Sequence, residues 1–223
     1  MDGVFIIGVD TGVGKTVVCA GILKLMHGYR KAVYWKPVQT NTLMGDDTME
    51  VKTLTSLNDN AYLDPAFRFP EPLAPYLAAK KWGKTIEIEP LIQTIKQVKS
   101  EGRFPIIEGG GGLLVPYSET LFQVDVIKES GLPVILVAQD RVGAINQSLL
   151  SLEEFRRRDI PVVGMVMTKS RGTFGNAETI AKFGKTKILL EIAHHDDRRS
   201  LVAEIGGSDN LRNIFGVPNL PNQ

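Results

Sequence analysis

The 223 residues, 43% hydrophobic and 23% charged, suffice for one large core or two small ones, and a single soluble domain over 1–223 is expected. Lys and Arg number 26 against 25 Asp and Glu, so no general field draws the chain to nucleic acid or to an anionic membrane, and a small-molecule partner is expected. A lone Cys19 excludes internal disulfides, no apolar run approaches membrane-spanning length, and Met1-Asp2-Gly3 leads straight into a strand rather than a signal peptide; a cytoplasmic protein is expected.

The apolar run Val4-Phe5-Ile6-Ile7 predicts a strand, and Gly8-Val9-Asp10-Thr11-Gly12-Val13-Gly14-Lys15-Thr16 predicts a phosphate-binding loop after it. Glycines let the backbone approach an anion, the helix N-terminus and loop amides turn partial positive charge toward it, Lys15 adds a full charge, and the Thr16 hydroxyl can ligate magnesium. Gly8 and Gly14 enclose five residues, one more than the usual loop. Val17, Val18, Gly21, Ile22, Leu25 and Met26 fall on one side of the helix that follows, where Cys19 reads as a small buried hydrophobe.

Ala32-Val33-Tyr34-Trp35 predicts a second strand, closed by Lys36-Pro37, which puts Lys36 on the rim at the strand's carboxyl end. Asp46-Asp47-Thr48 reads as the cap of a helix running to Leu57. Residues 58–83 carry four prolines and predict an irregular stretch with one short helix over 76–81. A helix over 88–100 leads into the strand Phe104-Pro105-Ile106-Ile107, and Glu108-Gly109-Gly110-Gly111-Gly112 follows, a carboxylate beside a backbone that a ligand can approach closely.

A helix over 121–130 is expected next, then two unbroken apolar runs at 133–138 and 161–167, the pattern of strands buried on both faces of a parallel sheet. Between them Ile145, Leu149, Leu152 and Phe155 line one face of a helix whose end, Arg156-Arg157-Arg158, reads as a solvated turn complementing the helix dipole. Lys187-Ile188-Leu189-Leu190 predicts the last strand, followed by a Gly206-Gly207 turn and a tail over 218–223. His194-His195-Asp196-Asp197 reads as a solvated loop, since neighbouring side chains on extended chain diverge. The alternation predicts an α/β fold, a doubly wound, mostly parallel sheet with helices on both faces, of the nucleoside-triphosphatase kind built on a phosphate-binding loop. Ligands bind such sheets beyond the strands' carboxyl ends, a rule that gathers Gly8 to Thr16, Lys36, Glu108, Asp140 and Thr168 on one rim.

Gly8 to Thr16 with its long loop, Lys36-Pro37-Val38-Gln39-Thr40, Glu108 to Gly112, and Gly143-Ala144-Ile145-Asn146 together resemble dethiobiotin synthetase from residue 4 to about 170. The resemblance implies an ATP- and magnesium-dependent ligase that closes the ureido ring of dethiobiotin from 7,8-diaminopelargonic acid and carbon dioxide, by way of a carbamate and a carbamic-phosphoric anhydride. It implies a catalytic pair, Lys15 and Lys36, both expected to leave the fold intact when replaced. It implies a nucleotide site of Gly12, Val13, Gly14, Lys15, Thr16, Val17, Glu108 and Thr168, and a metal site of Thr16, Asp47 and Glu108, with Asp46 an alternative to Asp47. Thr11, Lys36, Thr40 and Gly111 would meet the diamine. Gly143 and Asn146, opening a helix on the neighbouring subunit of a homodimer, would receive its carboxylate. The chain departs from the family at Gly12, commonly a glutamate, at Thr168, commonly an asparagine that reads adenine, and after the last strand, where a proline is missing. Weak discrimination among nucleotide bases is therefore expected.

Two other functions fit parts of the pattern. A cobyrinate-type amide ligase would carry a further glutamine-hydrolysing domain with a nucleophilic cysteine, for which the chain has neither length nor residue. A dimeric ATPase switch of the Min or nitrogenase-iron-protein kind would act through protein partners and carry a signature lysine where Asp10 stands.

Overall fold

The computed structural model describes residues 1–170 and 175–218. Strand β1 (Val4–Gly8) turns Val4 and Ile6 to one side and Phe5 and Ile7 to the other, all buried, as alternation in a sheet covered on both faces requires. Helix α1 (Lys15–Met26) follows, then β2 (Lys31–Trp35) and a strand the sequence reading did not anticipate, β3 (Val38–Gln39). Asp46 caps α2 (Asp47–Thr55), which stops short of Leu57 because Ser56 takes a left-handed conformation.

Residues 58–83 are less irregular than expected. They hold β4 (Tyr62–Leu63), β5 (Phe67–Arg68) and α3 (Pro75–Lys81), and the two strands escaped notice because two residues carry no period. Helix α4 (Ile88–Ser100) and strand β6 (Arg103–Glu108) lie as expected, and α5 (Gln123–Ser130) starts two residues late. Then come β7 (Val134–Gln139), α6 (Ala144–Arg157), β8 (Val162–Ser170), α7 (Asn176–Gly184), β9 (Ile188–Ala193), α8 (Arg198–Gly206) and α9 (Asp209–Phe215). The last two helices replace the expected glycine turn, and of the expected tail residues 219–223 lie outside the described residues.

Seven strands form one parallel sheet in the order β4-β2-β6-β1-β7-β8-β9, and β3 pairs with β5 beside it. Phe5, Ile7, Leu136 and Met165 pack against α3 to α7, while Val4, Ile6, Ile135 and Val166 pack against α1, α2, α8 and α9. Each large apolar side chain sealed this way contributes about 1.5–3 kcal/mol. Helices α1 and α8 touch so closely that a Cβ at Gly21 would lie 2.4 Å from Ile205. In α6 only Leu152 and Phe155 of the expected face are fully buried, joined by Ala144, Ser148 and Ser151. Arg158 corrects the reading of the arginine run as solvated: it reaches Asp125 of α5 at 2.5 Å and Glu154 at 2.5 Å. No helix among the described residues is long and apolar enough to cross a membrane.

Candidate active site

The sheet order brings β1, β2 and β6 side by side, so that Gly8, Lys36 and Glu108 leave neighbouring carboxyl ends. The loop after β1 admits no side chain at its start, since a Cβ at Gly8 would lie 2.6 Å from the Asp10 carbonyl oxygen and 3.0 Å from Lys15 Nζ. Gly14, with φ of 93°, opens α1 in the left-handed region that a residue with a Cβ disfavours. Lys15 is 6% exposed and its ammonium donates to the Asp10 carbonyl at 3.0 Å. Burial and then the Lys36 charge lower its pKa, while Glu108 and Asp47 oppose them.

Glu108 is 1% exposed and receives three donors. Its Oε1 accepts from the Thr16 hydroxyl and from Lys36 Nζ, each at 3.0 Å, and its Oε2 accepts from the Tyr34 hydroxyl at 2.9 Å. Lys36 also lies 2.6 Å from Asp47 Oδ2 and donates to the Gly109 carbonyl at 3.3 Å. Burial works against the Lys36 charge, but Glu108 and Asp47 outweigh it and hold the ammonium above its usual pKa. At 5% exposure Lys36 is a buried cation shared by two carboxylates rather than a free rim charge, which corrects the expectation that its loss would leave the fold untouched.

The two neighbouring aspartates divide their work. Asp46 Oδ1 accepts from the backbone amides of Thr48 and Met49, and its Oδ2 pairs with Arg68. Asp47 is free of capping and meets Lys36. The Gln39 amide fixes this arrangement, accepting from the Asp47 backbone N–H at 3.1 Å and donating to the Thr40 carbonyl at 2.7 Å.

A cleft of about 830 Å³ opens over these groups. Of the expected nucleotide and metal residues, Gly12, Gly14, Lys15, Thr16, Val17, Asp47, Glu108 and Thr168 line it; of the expected diamine residues, Thr11, Lys36, Thr40 and Gly111 do. Val13 lies behind the loop, where its carbonyl accepts from the Thr168 hydroxyl at 2.8 Å. That contact uses the hydroxyl's only hydrogen, so Thr168 braces the loop and leaves just its oxygen lone pairs for a ligand. Asp140 turns away to Asn176 at 2.7 Å and Ser170 at 3.2 Å and does not line the cleft; nor do Gly143 and Asn146, which are exposed elsewhere.

The sequence reading missed several walls of the cleft. Pro72, Leu73 and Pro75, with Val38 and Val115, give part of it an apolar lining. Ile192, His194, His195 and Arg198 close another side, where Asp197 caps α8 and Arg198 pairs with Glu50 of α2. Tyr34 was read only as a strand residue.

Residues 2–199 match a family model described as an AAA domain. The chain is 39% identical over 209 residues to an ATP-dependent dethiobiotin synthetase of Rhodopseudomonas palustris, spanning 93% of this chain and 95% of the relative. It is 35% identical over 193 residues to a protein of the same name from Paramagnetospirillum magneticum, spanning 86% of this chain and 88% of the relative. Among solved structures it is similar to the MinD cell division protein of Aquifex aeolicus, with TM-score 0.63 and 14% identity over 100% of both chains. It is likewise similar to a ParA family ATPase from Chlorobium tepidum, with TM-score 0.58 and 13% identity over 98% and 95% of the two chains. At such identities the solved structures speak for the fold alone.

Proposed function

We propose a function on the premise that the chain belongs to the dethiobiotin synthetase family, as its identity with two nearly full-length relatives shows. The protein is a single-domain, ATP-dependent ligase of biotin synthesis. It closes the ureido ring of dethiobiotin on 7,8-diaminopelargonic acid and carbon dioxide, with release of ADP and phosphate. The observation that carries this reading is the convergence of Lys15, Thr16, Lys36, Asp47 and Glu108, from four separate stretches of chain, on one cleft beyond the sheet.

The chemistry asks for spread-out cationic stabilisation rather than a protein nucleophile, and the cleft offers that. The diamine's carbamate attacks the γ-phosphate of ATP, and the second amine then displaces phosphate from the mixed anhydride. Lys15 and the α1 N-terminus hold the phosphates. Lys36 stands between the phosphoryl group and the carbamate, and Thr11, Thr40 and Gly111 border the diamine. The apolar wall of Val38, Leu73 and Val115 suits the alkyl chain of that substrate.

Thr16, Asp47 and Glu108 would hold magnesium, which when bound neutralises phosphate charge and aligns the phosphates. The donor set fits: a hydroxyl and two carboxylates are hard oxygens, and Thr16 Oγ1 already stands 3.0 Å from Glu108 Oε1. The two carboxylates already share one cation, Lys36.

The active unit is a cytoplasmic homodimer, and the N-terminus of α6 receives the diamine's carboxylate across the interface. Gly143 opens that helix without a side-chain cap, and both it and Asn146 are exposed outside their own subunit's cleft. A partner-driven ATPase switch is the lesser reading, because the carboxylate at its signature-lysine position accepts from Arg141 at 3.2 Å.

ADP release measured with and without 7,8-diaminopelargonate and bicarbonate tests the function. Turnover that needs both, with dethiobiotin as product, is the expected result; ATP turnover indifferent to the diamine would refute the ligase.

A further inference from the structure

Gln123 is the first residue of α5, and its side chain is 1% exposed. A primary amide has two donors and an acceptor oxygen with two lone pairs, and here all four positions are filled. The oxygen accepts from the Gly110 backbone N–H at 2.6 Å and from the Tyr117 hydroxyl at 2.9 Å. The nitrogen donates to the Gly110 carbonyl at 3.1 Å and to the Gly112 carbonyl at 2.8 Å. Toward Gly110 the side chain thus behaves as the peptide of an adjoining strand does, giving one bond and receiving another.

The helix start is bound to the same stretch through its backbone. Gln123 N–H donates to the Val115 carbonyl at 2.9 Å and Val124 N–H to the Leu113 carbonyl at 3.0 Å. Burial pushes the Tyr117 phenol above its usual pKa, so it stays a donor to the amide. The amide also lies hard against Gly109, where a Cβ would come within 2.8 Å of Gln123 Oε1 and 2.4 Å of Ile7 Cδ1.

The other side of the segment is the active site. Lys36 donates to the Gly109 carbonyl, one residue before the peptide that Gln123 grips, and Gly110 and Gly111 form part of the cleft wall. A glycine run has little stiffness of its own, because none of its residues restricts φ and ψ. Its shape must come from outside, and Gln123 is the buried group that reaches three of its backbone atoms.

We propose that Gln123 is a positioning residue for the ligase reaction: it fixes the 109–112 backbone, and with it both the carbonyl on which Lys36 rests and the wall against which the diamine lies. This assignment builds on the function proposed above. Gln123 touches neither substrate, and acts through the glycine segment alone.

Two variants test it. Gln123→Leu keeps the bulk and removes all four bonds. Gln123→Glu keeps the shape and sets a carboxylate oxygen against the Gly110 and Gly112 carbonyls, so it serves if the leucine variant does not fold. Steady-state kinetics on folded protein should show the KM for the diamine raised about tenfold or more with kcat also lowered, while the KM for ATP stays within about twofold. Amide hydrogen exchange should quicken in a peptide covering 109–115 and not in one covering 12–17. Equal rises in both KM values, or an unchanged diamine KM, would overturn the assignment. If the wild-type protein itself leaves the diamine untouched, the proposed function fails separately. The exchange comparison still decides then, and unchanged exchange at 109–115 would remove Gln123 from its role.

Discussion

The ammonium of Lys36 and the carboxylate of Glu108 meet at 3.0 Å with both side chains almost wholly out of water. Such a pair is worth little against an apolar replacement of both partners, yet breaking it from one side strands the other charge. Lys36→Met should therefore lose about 3 kcal/mol of stability as well as turnover, which should fall on the order of a hundredfold or more. Adding Glu108→Gln should restore much of the stability and none of the activity. Denaturant unfolding of the single and double variants checks this; a Lys36→Met protein as stable as the wild type would contradict it.

Tyr34 donates to the Glu108 oxygen that Lys36 and Thr16 leave free. Outer partners of this kind orient a metal ligand, and their loss commonly costs about 10–100-fold in metal affinity. Tyr34→Phe is expected to weaken binding of manganese, used as a spectroscopic stand-in for magnesium, by about tenfold in the presence of nucleotide. Unaltered manganese affinity would mean that Glu108 needs no such support.

The division between the adjacent aspartates predicts opposite phenotypes. Asp46→Ala removes a helix cap and an arginine partner and should cost about 1–2 kcal/mol of stability with little change in the magnesium requirement. Asp47→Asn takes from the buried Lys36 one of its two carboxylates and should cost less stability than Lys36→Met, because Glu108 still pairs the ammonium, while raising the magnesium concentration needed for half-maximal turnover. A reversal of the two phenotypes would make Asp46 the ligand.

Thr168→Val deletes the hydrogen bond to Val13. The expected outcome is a several-fold higher KM for ATP and GTP alike, from a loosened phosphate loop. A changed ATP-to-GTP preference with unchanged KM for ATP would instead make Thr168 a reader of the base.

Hydrogen bonds from Arg157 and then Arg158 hold the Glu154 carboxyl at about 2, against an ordinary value of 4.5. A carboxyl held low in the folded state stabilises it above the ordinary value, and that contribution fades as the pH falls toward the folded value. Glu154→Gln should thus cost about 0.5–1 kcal/mol at pH 7, with the gap to wild type narrowing between about pH 5 and 2. Urea unfolding across that range provides the check.

What the sequence disclosed follows physical range. Lys36 and Glu108 were legible because each abuts a strand whose apolar run is unmistakable, and the strand's end fixes the side of the sheet; Lys15 was legible from the glycine loop between such a strand and the helix it opens. Tyr34 and Gln123 were not. Their work depends on what lies across a strand or a turn, and a buried tyrosine or a glutamine at a helix start carries no local sign of its partner. Helices α8 and α9 were overlooked because Gly206 and Gly207 suggested a turn, although Val202 and Ile205 already had the spacing of a buried face. Strands β3, β4 and β5 are stabilised by neighbours rather than by any pattern of their own.

The contact between Gly21 and Ile205 also bears on how the molecule is made. The helix that carries the phosphate loop leaves the ribosome well before the α8 residues that cover its back, since more than half of the described residues lie between them. At about 5–20 residues per second, the first helix waits on the order of ten seconds or longer for that cover. During this interval Val18 and Ile22 remain open to chaperones and to wrong partners, and the nucleotide itself has no finished cleft to enter. Catalytic competence therefore waits on distant residues that take no part in the chemistry.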